Sequence, residues 1–159
     1  VLELGKSGSQ GTGKGTIPVL SDGAVVATLH ASNWKEAATA EVGERSWVFR
    51  RRGGRELTGR WAADPEDAVR LRARQTSSWR GTWTMELDGV AVTVTWASRW
   101  KGTHSYVVDG RQVAESGRRS TRPTLTTDPG LPLDHAVFML WVELVLGRRS
   151  ATAAAAAAV

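Results

Sequence analysis

The sequence predicts an all-β fold with one helix: an antiparallel meander of about twelve strands, closed into a β-barrel around a C-terminal apolar α-helix. Three observations predict it. Turn dipeptides at Asp22-Gly23, Gly53-Gly54, Asp88-Gly89 and Asp109-Gly110 separate short strand-like runs, and such pairs favour the positive φ of tight hairpin turns. Residues 79–98 alternate with period two. Finally, Leu133 to Leu146 is apolar nearly all round, so it must be enclosed. At roughly 1.5 Å per residue it spans about 20 Å, short of the ~30 Å core of a bilayer. Enclosure by the chain's own strands is the simpler expectation than a C-terminal membrane anchor, which Glu143 also opposes.

Strands are expected at residues 1–5, 15–20, 23–31, 34–41, 45–52, 55–62, 67–75, 79–87, 90–98, 103–109, 111–117 and 120–127. The clearest hairpin turns at Asp88-Gly89. It sets Leu87 against Val90, Met85 against Val92 and Trp83 against Val94 on an apolar face. Glu86–Ala91, Thr84–Thr93 and Thr82–Thr95 form the other, so one face is buried and one wet. A weak repeat, Ser-x-Trp-basic, recurs at Ser32-Asn33-Trp34-Lys35, Ser77-Ser78-Trp79-Arg80 and Ser98-Arg99-Trp100-Lys101. The last two copies run on through Gly-Thr, strand, Asp-Gly and strand, which again reads as up-and-down hairpins.

Pro123, Pro129 and Pro132 interrupt the strands before the helix, expected over 133–147. Asp134 suits its N-cap or first turn, and Gly147 its C-cap, with Arg148 and Arg149 against the negative end. The whole reads as one domain over residues 1–149, followed by an alanine-rich disordered tail at 150–159. Eight of the aromatic residues are Trp; core and rim packing around a large helix is the expected use, with Trp34, Trp79 and Trp100 at strand starts.

The order of these motifs resembles the tubby C-terminal-like superfamily, which includes tubby proteins, phospholipid scramblases and LURP-one-related proteins. The likeness is carried by the Trp-basic-Gly-Thr…Asp-Gly hairpins, the Trp100–Gly117 unit and the ending Leu131-Pro132-Leu133-Asp134-His135-Ala136-Val137-Phe138-Met139-Leu140-Trp141. It covers residues 1–149 and looks most like small actinobacterial members. The resemblance implies a twelve-strand barrel closed on its helix and contact with lipid. No acidic run like a calcium loop, cysteine cluster or proline-rich N-terminal region accompanies it, so scramblase-like activity is not implied. No phosphoinositide-binding residue is carried over by position.

The net charge is +5, and there is no cysteine, which excludes thiol chemistry and disulfides. Val1-Leu2-Glu3-Leu4-Gly5-Lys6 lacks the apolar core of a secretory signal, so a cytoplasmic monomer, peripheral to the membrane, is expected. The leading functional expectation is a non-enzymatic binding module. It would recognise anionic phospholipid or phosphoinositide through Arg-rich outer strands: Arg70, Arg72 and Arg74 on one face of an alternating run, with Arg50, Arg51 and Arg52 as a second patch. Nucleic acid is not favoured, because the charges are spread in short clusters.

Two alternatives stand beside it. Gly8-Ser9-Gln10-Gly11-Thr12-Gly13-Lys14-Gly15-Thr16 resembles a phosphate-binding loop, with Gly13, Lys14 and Thr16 as nucleotide-binding candidates. Pro18 and the lack of strand–helix alternation oppose that enzyme reading. A Trp-lined barrel could instead carry a small hydrophobic ligand. His30, His104 and His135 show no metal spacing, and no cofactor is expected. His104 is placed opposite Glu115 by the Asp109-Gly110 turn. Glu143, inside the apolar helix, must be paired, protonated or near an opening.

Overall fold

The computed structural model describes residues 1–77 and 79–158. Its strands are β1 (Leu2–Leu4), β2 (Ile17–Ser21), β3 (Ala24–Ala31), β4 (Ala37–Val42), β5 (Arg45–Arg52) and β6 (Glu56–Trp61). They continue as β7 (Leu71–Ser77), β8 (Thr82–Leu87), β9 (Val90–Ser98), β10 (Thr103–Val108), β11 (Arg111–Arg119) and β12 (Arg122–Thr127). Each strand pairs antiparallel with its chain neighbour, and β1 pairs with β12 to close the barrel. Closure leaves no free sheet edge. The single helix among the described residues, α1 (Leu133–Ala157), follows the last strand.

The three predicted Asp-Gly turns hold, as does the β8–β9 register from Leu87–Val90 to Trp83–Val94. Asp22-Gly23, Asp88-Gly89 and Asp109-Gly110 all have positive φ at both residues, the geometry a two-residue hairpin needs to match strand twist. Gly53 also has positive φ, although its connection takes a third residue before β6. In the β8–β9 hairpin Leu87, Met85 and Trp83 face Val90, Val92 and Val94 as expected. The pairing ends there, and Thr82 instead bonds Thr76 across the β7–β8 pair.

The apolar faces converge on the first half of α1, where His135 through Glu143 are all buried. Phe138 meets Phe49 edge-on with ring centroids 5.3 Å apart, and Trp141 lies 5.4 Å from the same ring. Gly59 makes room for this cluster: a Cβ there would stand 3.1 Å from Phe49 and 3.2 Å from Leu71. The first half of the helix fills the lumen.

Three expectations change. The helix does not end at Gly147, and residues 150–157 are helical rather than disordered; alanine has the highest helix propensity, so a nucleated helix runs on through such a tail. Gly147 is an interior residue whose use is packing, since a Cβ would crowd the Arg118 guanidinium at 3.3 Å. The basic pair Arg148 and Arg149 therefore sits mid-helix and binds Ser32 and Glu36 instead of the helix end. Ser78 of the repeat and Val159 of the tail lie outside the described residues.

His104 does not face Glu115. The β10–β11 register shifts between Tyr106 and Val107, so Ser105 takes Glu115. A further shift between Thr103 and His104 buries both of those residues. A bulge of one residue reverses the side chains beyond it.

Candidate functional site

An up-and-down barrel places all odd-to-even connections at one end and all even-to-odd connections at the other. Here that geometry sorts the charges. At the first end the connections hold Lys6, Lys14, Lys35, Arg55, Arg80, Arg99 and Lys101, with Glu36 the one acid among the described residues. At the second they hold Asp22, Glu44, Asp64, Glu66, Asp67, Asp88, Asp109 and Asp128, with Arg70 the one base.

The first end also carries Trp34, Trp79 and Trp100, whose surfaces are 96%, 90% and 97% exposed. Sequence reasoning placed these residues at strand starts, with packing the expected use and a membrane interface or ligand contact the alternative; they are exposed turn residues. The Ser-x-Trp-basic repeat explains why. Ser32, Ser77 and Ser98 each accept, through Oγ, a hydrogen bond from the backbone N–H three residues on, at 3.1, 3.1 and 3.2 Å. The serine thus closes the turn and the tryptophan at its crest has no wall to pack on. The Trp34 turn (β3–β4) and the Trp100 turn (β9–β10) have four strands between them in either direction around the barrel. They stand on opposite sides of the mouth. Arg99 ties the Trp79 and Trp100 turns together by donating to the Trp79 carbonyl at 2.9 Å. The C-terminal part of α1 emerges through the middle, held by Arg148 on the Ser32 carbonyl (2.7 Å) and Arg149 on Glu36 (2.5 and 2.7 Å). The Arg149 hydrogen bonds pull the Glu36 carboxyl below its ordinary range, outweighing partial burial.

The residues singled out from sequence are arranged differently. Arg72 and Arg74 point outward as predicted, but both bind Glu56, at 2.9 and 3.0 Å. Burial raises and these two arginines lower the Glu56 carboxyl, with a net shift downward. Arg70 lies in the acidic-end connection, between Asp64 and Asp88, with its guanidinium 3.3 Å from the Trp61 ring centroid. Arg50 meets Glu66 and Arg51 meets Glu36, each at 3.5 Å. Arg52 is exposed at the tryptophan end of β5. Five of the six arginines are therefore ion-paired, Arg72 and Arg74 through the single carboxylate of Glu56, while Arg52 has no ion pair among the described residues.

Gly13, Lys14 and Thr16 lie in the loop between two antiparallel strands, and β2 follows where a phosphate-binding loop needs a helix. The loop uses its own polar groups: Gly8 N–H donates to the Thr16 carbonyl and Thr16 N–H to the Gly13 carbonyl, at 2.9 and 3.0 Å. The helix start that would turn its amides toward phosphate does not follow this loop.

Glu143, the acid in the apolar helix, accepts from the Tyr106 phenol at 2.5 Å and shares a hydrogen bond with His104 Nδ1 at 2.9 Å, both at Oε1. Burial, with the Glu143 charge beside it, pushes the Tyr106 phenol well above its usual range. His104 in turn stacks on Trp96 with centroids 4.6 Å apart. No signal in the sequence paired these residues, because the pairing depends on two bulges.

Among the described residues no group of three or more His, Cys, Asp or Glu could hold a metal ion, and no helix is long and apolar enough to cross a membrane. No protein family, curated protein or solved structure matches the chain.

Proposed function

We propose that this protein is a non-enzymatic module that docks end-on against an anionic membrane surface, using the tryptophan-bearing mouth of the barrel. One observation carries the reading: three fully exposed tryptophans ring a basic end, two of them on opposite sides of the mouth. Tryptophan in water is costly to leave uncovered and is favoured at the headgroup level, where one part of the ring is apolar and the N–H stays wet. Anchors on opposite sides define a plane, which suits a flat partner better than a groove or a peptide. Lysine and arginine beside them add attraction of about 1 kcal/mol each near an anionic leaflet. Apart from Arg52, the outer-strand arginines take a secondary place in this reading, since each already meets an acid.

Flotation with vesicles tests it. The chain is expected to float with vesicles containing about one-third anionic lipid and to stay behind with neutral ones, with binding falling as salt rises. Equal recovery with neutral and anionic vesicles, or none with either at low salt, removes the proposal.

A further inference from the structure

The acidic end is closed by its own polar groups, yet it leaves two apolar side chains bare. Val25 pairs with Leu20 at the start of β3, and Val90 with Leu87 at the start of β9. Leu20 and Leu87 are buried, and directly opposed residues of an antiparallel pair share a face. Both valines therefore stand on the core-facing side of the sheet. They are nevertheless 42% and 45% exposed, because each sits at the rim beside the Asp22-Gly23 or Asp88-Gly89 turn.

The same two strands lead to exposed indoles. β3 runs from Val25 to the Trp34 turn, and β9 from Val90 to the Trp100 turn. Five strands separate β3 from β9 in either direction around the barrel, so the two are diametrically opposed. The strands of a closed barrel tilt together, and a pair opposed at one end stays opposed at the other. A second barrel stacked on the same axis can therefore bring both indoles onto both valines with a single rotation. Charge favours the same stack. Lys35 and Lys101 follow the two indoles in the chain. Asp22, Glu44, Asp67 and Asp109 would face them, and among the described residues these four take no part in the ion pairs of the acidic end. Ala156 and Trp34 border one groove, so the described end of α1 reaches about the level of the indoles.

We propose that in solution the tryptophan end takes the acidic end of a second copy of this chain, with Trp34 and Trp100 seated on Val25 and Val90 and the lysines facing the four acids. The contact is heterologous, so each added copy presents the same open ends and the coaxial stack does not close. It does not rest on membrane docking. It uses the same end, so an anionic vesicle and a second copy compete for the indoles.

Sedimentation velocity of the full chain without lipid is the test. At low salt the average mass is expected to rise above that of one chain by about 100 μM, and to fall back as salt is added. Val25→Lys/Val90→Lys spoils the acidic end and Trp34→Ala/Trp100→Ala the other. Each variant alone is expected to associate at least about tenfold more weakly, with the thermal transition of the parent chain. Mixed together they still share one intact end of each kind, so they are expected to form a one-to-one pair and stop there. A chain that stays monomeric at low salt, a mixture no heavier than its components, or a Val25→Lys/Val90→Lys variant that associates like the parent would each overturn the proposal. The last result would mean that indoles meet indoles. A chain that stacks but never floats with anionic vesicles sinks the docking reading alone.

Discussion

The two ends of this barrel are built from the same kind of hairpin yet are finished in opposite ways. At the acidic end the polar groups bond to one another. Asp134 accepts from the indole of Trp47 at 3.0 Å and lies 3.7 Å from Arg45. His135 reaches Asp88 at 2.9 Å, and Arg45 and Arg70 both lie over Trp61. At the tryptophan end the large side chains face water, the helix protrudes, and clefts remain beside it. A sealed end spends its residues on closing the fold. An end that leaves three indoles in solvent gains no packing from them, and the proposed docking rests on that contrast.

The contrast can be broken from within. Glu143→Ala strands the Tyr106 hydroxyl and His104 in the core, and a loss of about 3–5 kcal/mol in denaturant unfolding is expected, as for other buried pairs that lose one partner. The spectrum offers a second readout, because Tyr106 is the sole tyrosine. Its folded-state pKa is raised, so the phenol stays protonated through the ordinary tyrosine range. The stability it contributes is present below that range and lost as pH climbs past it. Tyrosinate absorbance that rises near pH ~10 while the protein is still folded would contradict this.

Removing all three exposed indoles together (Trp34→Ala, Trp79→Ala, Trp100→Ala) should leave stability within about 0.5 kcal/mol per site, since none packs on the core. Affinity for anionic vesicles should fall about 30-fold, or roughly 2 kcal/mol. A large drop in melting temperature, or unchanged flotation, would mean that the two ends differ less than their exposure indicates. Asp134→Ala makes the reciprocal test at the sealed end. It leaves the Trp47 N–H without its acceptor, and about 1–3 kcal/mol of stability should go while vesicle binding is untouched.

The smallest effect is expected where the helix leaves the barrel. Glu36→Gln weakens the bond to Arg149 and should cost at most about 1 kcal/mol at neutral pH. The folded-state pKa of Glu36 is depressed, so its contribution is present above the ordinary carboxylate range and lost as pH falls through the lowered value. Parent and variant should therefore converge in acid; a gap that persists at pH ~2 would point to packing instead.

Much of the barrel could be read from residue order. Asp-Gly pairs specify their turns because few residues tolerate two consecutive positive φ values, and alternation assigns a face because β side chains change sides at every step. The enclosed helix followed from Phe138, Met139, Leu140 and Trp141, which have no polar neighbour to turn toward water. The candidate site was far less legible. Arg72 and Arg74 looked free in the chain, yet Glu56 lies between them in space because β6 runs beside β7. Trp34, Trp79 and Trp100 looked like packing residues because a tryptophan beside a strand is most often buried.

The sequence alone determined local geometry: which segments pair, where they turn, which face is apolar, and that the last apolar run needs a cover. These are short-range consequences of backbone sterics and of hydration. Only the closed tertiary structure decided which distant residues share an end, which arginines find an acid, and that bulges turn His104 inward toward Glu143. Those outcomes depend on the parity of connections around the ring and on single-residue register shifts, and neither leaves a mark on the residues it moves.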